Sequence, residues 1–402
     1  MAHISTWIGI LTLRRKTYAT LSGGFFCYFA LIGLFMPFAS LYLDAKGFDA
    51  LQIGEILAVV AATKIIGPGL WAHIADKSGR LSRIILLGCI LTVASLTLVF
   101  VSEGFWPLLF TFSLFMLFFN GILPQLEVLT LTSIQGASQN YARIRLWGSL
   151  GFIVATLTSG EILSVTSPLY FPYLAMFWVV LLTLVSTLNR DPNIAVTSPS
   201  SEPQTSVMKR IRHPGFICFL ISGLLMQISF GPFYNFFALY LRDAGFDTSY
   251  VGVFMGVAIV VELAMFYGAY LFFKAWSVNT IFIFCFLITS VRWLLTALYA
   301  DNALILAIAM SMHAVSFALY HCACMAFFQR YFSHSQQNRA QAMYNGLFYG
   351  VGGAVGAIVT GWLWNQSGSG ETSFLVASVA AMLGLIFVIF TPKVSLKSES
   401  TA

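Results

Sequence analysis

Leu41-Tyr42-Leu43-Asp44-Ala45-Lys46-Gly47-Phe48-Asp49 returns 198 residues later as Leu239-Tyr240-Leu241-Arg242-Asp243-Ala244-Gly245-Phe246-Asp247. The same offset carries Gly54 to Gly252, Ala142 to Ala340 and Gly148 to Gly346. One constant offset over separate stretches marks a duplication: two copies of one unit that face the same way. The chain around each copy is a series of apolar runs of the length, about 20 residues, that a helix needs to cross a bilayer. Twelve fall near 17–43, 50–75, 82–101, 105–133, 140–163, 169–189, 215–242, 248–273, 277–299, 303–330, 338–365 and 372–391. They are too long for barrel strands, which run to about 10 alternating residues. The sequence therefore predicts an all-α membrane protein with twelve transmembrane helices in two pseudo-symmetric six-helix bundles.

Composition agrees. Of the 402 residues, 58% are apolar and only 9% charged, with mean hydropathy +0.84. A soluble domain carries about 25% charged residues, so a soluble enzyme is excluded. Six cysteines without paired spacing exclude a disulfide framework. The apolar stretch Ile4–Leu13 is short and is followed by Arg14-Arg15-Lys16, which predicts an uncleaved anchor, not a signal peptide.

With the N-terminus in the cytoplasm, 17 Lys and Arg fall on the inner side and only Lys46 and Arg242 on the outer, with Lys64 and Arg292 inside spans. That satisfies the positive-inside rule with both termini cytoplasmic. It also accounts for the basic pI without any nucleic-acid partner. The longest polar stretch, from Asn189 to Pro214, holds Asp191-Pro192, Ser198-Pro199-Ser200-Ser201 and a Lys209/Arg210/Arg212 cluster. It reads as a cytoplasmic linker over 190–214, with a short surface helix before His213. The bundles are then 1–189 and 215–402.

After the second run the chain reads Ala72-His73-Ile74-Ala75-Asp76-Lys77-Ser78-Gly79-Arg80. This resembles the loop between spans two and three of the major facilitator superfamily. Asp76, Lys77, Gly79 and Arg80 fit that gating-loop pattern, whereas Ala72 and Leu81 depart from it. A closer resemblance, along most of the chain, is to the phenylpropionate permease family, a relative of the lactose permease group. It is carried by Tyr141-Ala142-Arg143-Ile144-Arg145-Leu146-Trp147-Gly148-Ser149, Val291-Arg292-Trp293, Val261-Glu262 and a tenth span with His313 and His321. The resemblance implies a secondary transporter of an inner membrane that works by alternating access.

An ionisable group at mid-bilayer costs about 2.5–3.5 kcal/mol even on the lenient scale. Lys64, Glu127, Arg145, Glu262 and Arg292 would together cost about 15 kcal/mol if unpaired, so they must meet each other, water or substrate. Glu127 shares a helical face with Asn120 and Pro124, and its depth matches Arg145, so an ion pair is expected. By resemblance, Glu127, Arg145 and Phe152 hold the places of substrate-contacting residues. The plainer reading makes Arg145 a basic anchor at the membrane edge. Also by resemblance, Glu262 takes the place of an acid that joins substrate to proton coupling, and Arg292 that of an arginine acting on span-ten groups. Glu262 and Lys64 are related by the 198 offset.

On the tenth span, His313, Phe317, Tyr320, His321 and Cys324 fall on one α-helical face, and a histidine changes charge near neutral pH. A carboxylate that the sugar permeases carry one turn beyond this histidine is missing, since Phe317 follows His313 and Met325 follows His321. Span seven offers Gln227, Gly231, Tyr234 and Asn235 beside a Gly231-Pro232 break; span eleven offers Gln341, Tyr344, Asn345 and Phe348. Gly346, Gly350, Gly353 and Gly356 read as close helix contacts. His321-Cys322-Ala323-Cys324 lacks a second cluster, so no metal is expected, and no nucleotide site or catalytic set appears. The expected coupling ion is the proton, with no cofactor.

These residues point to a monomeric proton symporter for a small organic solute, with an aromatic acid such as phenylpropionate favoured by the interior excess of positive charge. A sugar or nucleoside solute is the alternative within the class, and a non-transporting membrane sensor the alternative outside it. Expected proton-coupling residues are Glu262, Arg292, His313 and His321. Expected substrate contacts are Lys64, Asn120, Glu127, Arg145, Phe152, Gln227, Tyr234, Asn235, Phe317, Tyr344 and Asn345.

Overall fold

The structure is a computed structural model that describes residues 15–135, 137–191 and 208–393. Among the described residues there is no strand, and 12 helices are long and apolar enough to cross a membrane. Each lies where an apolar run predicts one. The main shift is in span eleven, whose crossing part is Asn345–Ser367 and not 338–365. The residues before it, His334–Tyr344, are helical but rich in Gln, Asn and Arg, which do not enter hydrocarbon cheaply. Arg14 and Lys397 lie outside the described residues, as do 192–207 of the expected linker and the side chains of Asp76, Lys209 and Arg339.

The sequence repeat is also a repeat of backbone geometry. Gly47 and Gly245 both adopt φ +88°, the left-handed region that a helix C-cap needs and a Cβ disfavours. In the first copy Gly47 N donates to Asp44 O (2.8 Å) and Phe48 N to Leu43 O (3.3 Å). In the second, Gly245 N donates to Arg242 O and Phe246 N to Leu241 O, both 2.9 Å. The next helix starts differ: Asp49 Oδ1 accepts from Gln52 N (2.8 Å) and Gln52 Oε1 accepts from Asp49 N (3.2 Å), a capping box. Asp247 makes no such bond from its side chain.

Among the described residues the chain forms two compact units. One takes in residues up to Phe48 and from Thr63 to Asp191; the other takes in Asp49–Ala62 and everything from Met208 onward. The start of span two thus groups with the second unit, where Gly54 and Gly361 pack backbone to backbone. A Cβ on Gly54 would stand 2.7 Å from the Ala357 carbonyl, and one on Gly361 2.4 Å from that of Ala50. In the first unit span one lies as closely on span five: a Cβ on Gly151 would meet the Phe26 carbonyl at 2.1 Å, and one on Gly33 that of Phe152 at 2.5 Å. Of the span-eleven glycines, Gly356 packs on Gly231, whereas Gly346 has nothing within 4 Å.

Both described ends of the linker are tied down. Asp191 accepts from Ser82 N (2.8 Å) and Ser82 Oγ (2.7 Å), capping the helix Leu81–Thr97 from outside its own sequence. The expected surface helix is Met208–Ile211. Its Arg210 donates to the Tyr331 carbonyl, and Tyr331 Oη donates to Arg210 O at 3.0 Å.

Spans four, seven, ten and eleven are not continuous α-helices. Span four breaks between Phe105–Asn120 and Ile122–Ser133, and span seven between Pro214–Ser229 and Gly231–Asp243. Spans ten and eleven contain π-helical turns at Ala314–Leu319 and Asn345–Gly352. Interrupted helices inside a membrane mark functional positions. Each interruption adjoins polar residues singled out above: Asn120; Gln227, Tyr234 and Asn235; His313; Tyr344 and Asn345.

The packing sets a contrast between two glycines. Gly151→Ala should destabilise the protein by about 1–3 kcal/mol through overpacking on the Phe26 carbonyl, whereas Gly346→Ala should not. Melting temperatures of the two variants in detergent check this, and equal values would refute it.

Candidate functional site

Arg292 lies on span nine (Val278–Leu298) with none of its surface exposed. Its Nη1 is 3.0 Å from His313 Nδ1 and donates to Ser316 Oγ at 2.9 Å. The guanidinium carbon sits 4.4 Å from the centre of the Phe233 ring and 4.2 Å from that of Trp293. His313 Nε2 is 3.2 Å from Glu262 Oε2. The second unit therefore brings Glu262, His313 and Arg292 into one line across spans eight, ten and nine.

Hydrogen-bond direction in that line follows from the partners. A guanidinium can only donate, so His313 Nδ1 must accept. A neutral imidazole with Nδ1 accepting carries its hydrogen on Nε2, and that hydrogen points at the Glu262 carboxylate. A proton added at Nδ1 would face the Arg292 donor.

The π turn explains why the histidines line up. Eight residues of α-helix end about 80° away from alignment. One extra residue taken up by a π turn removes about 100°, bringing positions 313 and 321 to within about 20° of each other. Phe317 fills the column: its ring is parallel to His313 (3°, 5.1 Å) and near-parallel to His321 (19°, 6.3 Å). The same turn corrects the expected α-helical face, because Tyr320 rotates out of the column and packs on Phe282 and Phe286 of span nine. His321 Nδ1 is 3.2 Å from Tyr344 Oη, which is 3.1 Å from Tyr349 Oη.

Span seven contributes less freely than its polar face predicts. Asn235 donates to the Gly231 carbonyl at 2.9 Å, a side-chain bond back to its own helix one turn before. Tyr234 stacks on Phe230 (5.1 Å) and lies within electrostatic reach of Glu262 and Arg292. Gln227 is buried against Gly352, and Asn345 is exposed.

In the first unit, Arg145 lies over the Phe29 ring at 3.8 Å. Its charge acts on Glu127, whose carboxylate accepts from Tyr141 Oη at 3.4 Å. Asn120 Nδ2 donates to Thr63 Oγ1 at 2.9 Å, so its amide braces span four on span two. Lys64, the next residue, is exposed and has no ion-pair partner among the described residues. Phe152 is buried where span five packs on span one. In the loop between spans two and three, Gly79 takes φ +62° and its N–H donates to Ala75 O at 3.0 Å, while Lys77 and Arg80 are exposed. Sequence reasoning missed Ser316, Phe233, Tyr349 and Asp191; of these, only Ser316 carried a signal, three residues beyond His313 on a polar face.

The family model for the MFS_1 like family matches residues 18–376. The chain is 26% identical to a probable 3-phenylpropionic acid transporter of Escherichia coli (strain K12), covering 92% of this chain and 96% of that protein. It is 23% identical to a maltose permease of Geobacillus stearothermophilus, covering 94% and 95%. Among solved structures, a nucleoside transporter, NupG, superposes with TM-score 0.82 at 17% identity, over 94% of this chain and 100% of that one. A peptide transporter, POT, gives TM-score 0.71 at 13% identity, over 93% and 94%.

The Arg292 cradle makes a test of the site. Lysine keeps the charge but cannot reach His313 and Ser316 together while lying flat on Phe233 and Trp293. Arg292→Lys should cost about 3 kcal/mol, as for a broken buried pair, read as a lower melting temperature in detergent. An unchanged melting point would mean that the cradle is not what holds the charge.

Proposed function

We propose a function from one premise, that the chain belongs to the MFS_1 like family. It is accordingly a multi-pass membrane transporter of small solutes of the major facilitator superfamily, not an enzyme. Beyond that, we read it as a proton symporter of an inner membrane, with both termini cytoplasmic, importing a small aromatic carboxylate by alternating access. The solute class rests on the phenylpropionic acid transporter relative and on charge. Lys64, Arg145 and Arg292 outnumber Glu127 and Glu262 in the spans, which attracts an anion. Arg145 has the flat fork that suits a carboxylate, and Phe29 holds it in place.

The observation that carries the coupling reading is the Glu262–His313–Arg292 line. Ionised Glu262 accepts from His313; protonated Glu262 has lost the negative charge that strengthened that bond. Loading and unloading one proton therefore changes the polar contact that joins Glu262 of span eight to His313 of span ten. The maltose permease relative supports a sugar as second reading, and the missing span-ten carboxylate weakens it.

A thermal-shift series with 3-phenylpropionate, maltose and uridine on the purified protein tests the solute class. Stabilisation by the aromatic acid alone is the expected result, and stabilisation by maltose or uridine alone would overturn it. For coupling, Glu262→Gln in proteoliposomes should abolish uphill uptake while counterflow persists. Normal proton-driven accumulation by that variant would remove Glu262 from the proton path.

A further inference from the structure

Within the first unit, the ends of spans one, four and six on the side that the positive charge bias assigns to the cytoplasm enclose a cavity of about 80 Å³. Lys16 comes to it from the start of the helix Arg15–Ala45, and Ser133 from the end of Ile122–Ser133. Asn189 and Arg190 come from the turn after Phe171–Ser186. Lys16 and Arg190 are exposed, and among the described residues neither is in an ion pair. The carboxylate next to Arg190 in sequence, Asp191, is held by Ser82 N and Oγ instead. Two cations therefore border one small cavity, and no acidic residue is among the described residues that line it.

An amide beside them is unsatisfied. Asn189 Nδ2 and Oδ1 are both buried, and among the described residues neither has a hydrogen-bond partner. Native interiors seldom leave buried polar atoms in that state. The hydroxyls around the cavity do not relieve it: Thr20 Oγ1 donates to Lys16 O at 2.9 Å and Ser133 Oγ to Leu129 O at 2.7 Å. The cavity also opens toward lipid. Leu188 lines it and is 52% exposed, and Leu184, one turn earlier on the same side of span six, is 59% exposed.

We propose that this cavity seats the headgroup of an anionic phospholipid of the phosphatidylglycerol type, with its phosphate between Lys16 and Arg190. Basic pockets between spans on the cytoplasmic side suit such headgroups. The volume admits about five water-sized groups, the scale of a phosphate with its oxygens. A phosphate oxygen accepts from Asn189 Nδ2, and a hydroxyl of the headgroup glycerol donates to Oδ1, so one ligand meets both needs of the amide. Phosphatidylethanolamine would bring an ammonium group to two cations and gains nothing from them. Free phosphate lacks the acyl chains that the exposed leucines of span six receive. Once seated, the lipid ties the start of span one to the ends of spans four and six, beside the point where the linker begins.

The test needs no solute, so it stands apart from the transport reading. Delipidated full-length protein in detergent is titrated with dioctanoyl phosphatidylglycerol, dioctanoyl phosphatidylethanolamine or inorganic phosphate, and the melting temperature is followed. Phosphatidylglycerol alone should raise it. The double variant Lys16→Gln/Arg190→Gln should melt like the wild type without lipid, because both side chains are exposed and unpaired, and should need roughly tenfold or more lipid for the same shift. Asn189→Leu should also weaken the response while leaving the lipid-free protein at least as stable, since it removes an unsatisfied amide. The charge-keeping pair Lys16→Arg/Arg190→Lys should retain the response, which separates charge from folding. An equal shift with phosphatidylethanolamine, or an undiminished one in the neutral pair, would overturn the site. A shift with inorganic phosphate that the neutral pair abolishes would make it a free-phosphate site and overturn the lipid assignment. No shift with phosphatidylglycerol in the wild type would overturn the proposal outright.

Discussion

A full positive charge with no exposed surface governs the second unit. Arg292 cannot be neutralised cheaply, and a bare charge in hydrocarbon costs more than most domains have to spare. Three kinds of contact meet that demand at once: hydrogen bonds from Nη1, ring faces of Phe233 and Trp293, and the Glu262 carboxylate one imidazole away. The geometry of spans seven to ten follows from gathering these groups. It also fixes the tautomer of His313.

The same demand applies to backbone. In a bilayer, every N–H and C=O freed by a helix break needs a partner. Asn235, beside such a break, bonds back to the Gly231 carbonyl of its own helix, so part of the polar face that looks solute-binding is taken up locally. Asn120 is likewise occupied by Thr63. Of the polar side chains in the spans, some brace their own or a neighbouring helix and others are left with chemistry to do, and only the contacts separate the two sorts.

Much of this was legible in the sequence. Apolar runs give the spans because bilayer thickness sets a length that composition reveals directly, and the 198-residue repeat reaches down to a shared φ at Gly47 and Gly245. The interior charges announced themselves by cost alone. What stayed hidden depends on register and distance. A π turn has no residue signature, so Tyr320 was expected beside the histidines and instead faces span nine. Tyr349 sits one apolar step from an already polar face and gains meaning only from Tyr344. Asp191 read as linker because its partner, Ser82, lies 109 positions away.

That last contact bears on how the halves are joined. Asp191 is clamped to Ser82, and Arg210 is clasped to Tyr331. Between those anchors the chain has a contour length of about 65 Å at most. Tension along this stretch would reach the start of span three and the end of span ten through these bonds, as well as spans six and seven through the backbone. A load on it therefore pulls also at the helix Leu81–Thr97 on one side and at the helix that carries both histidines on the other.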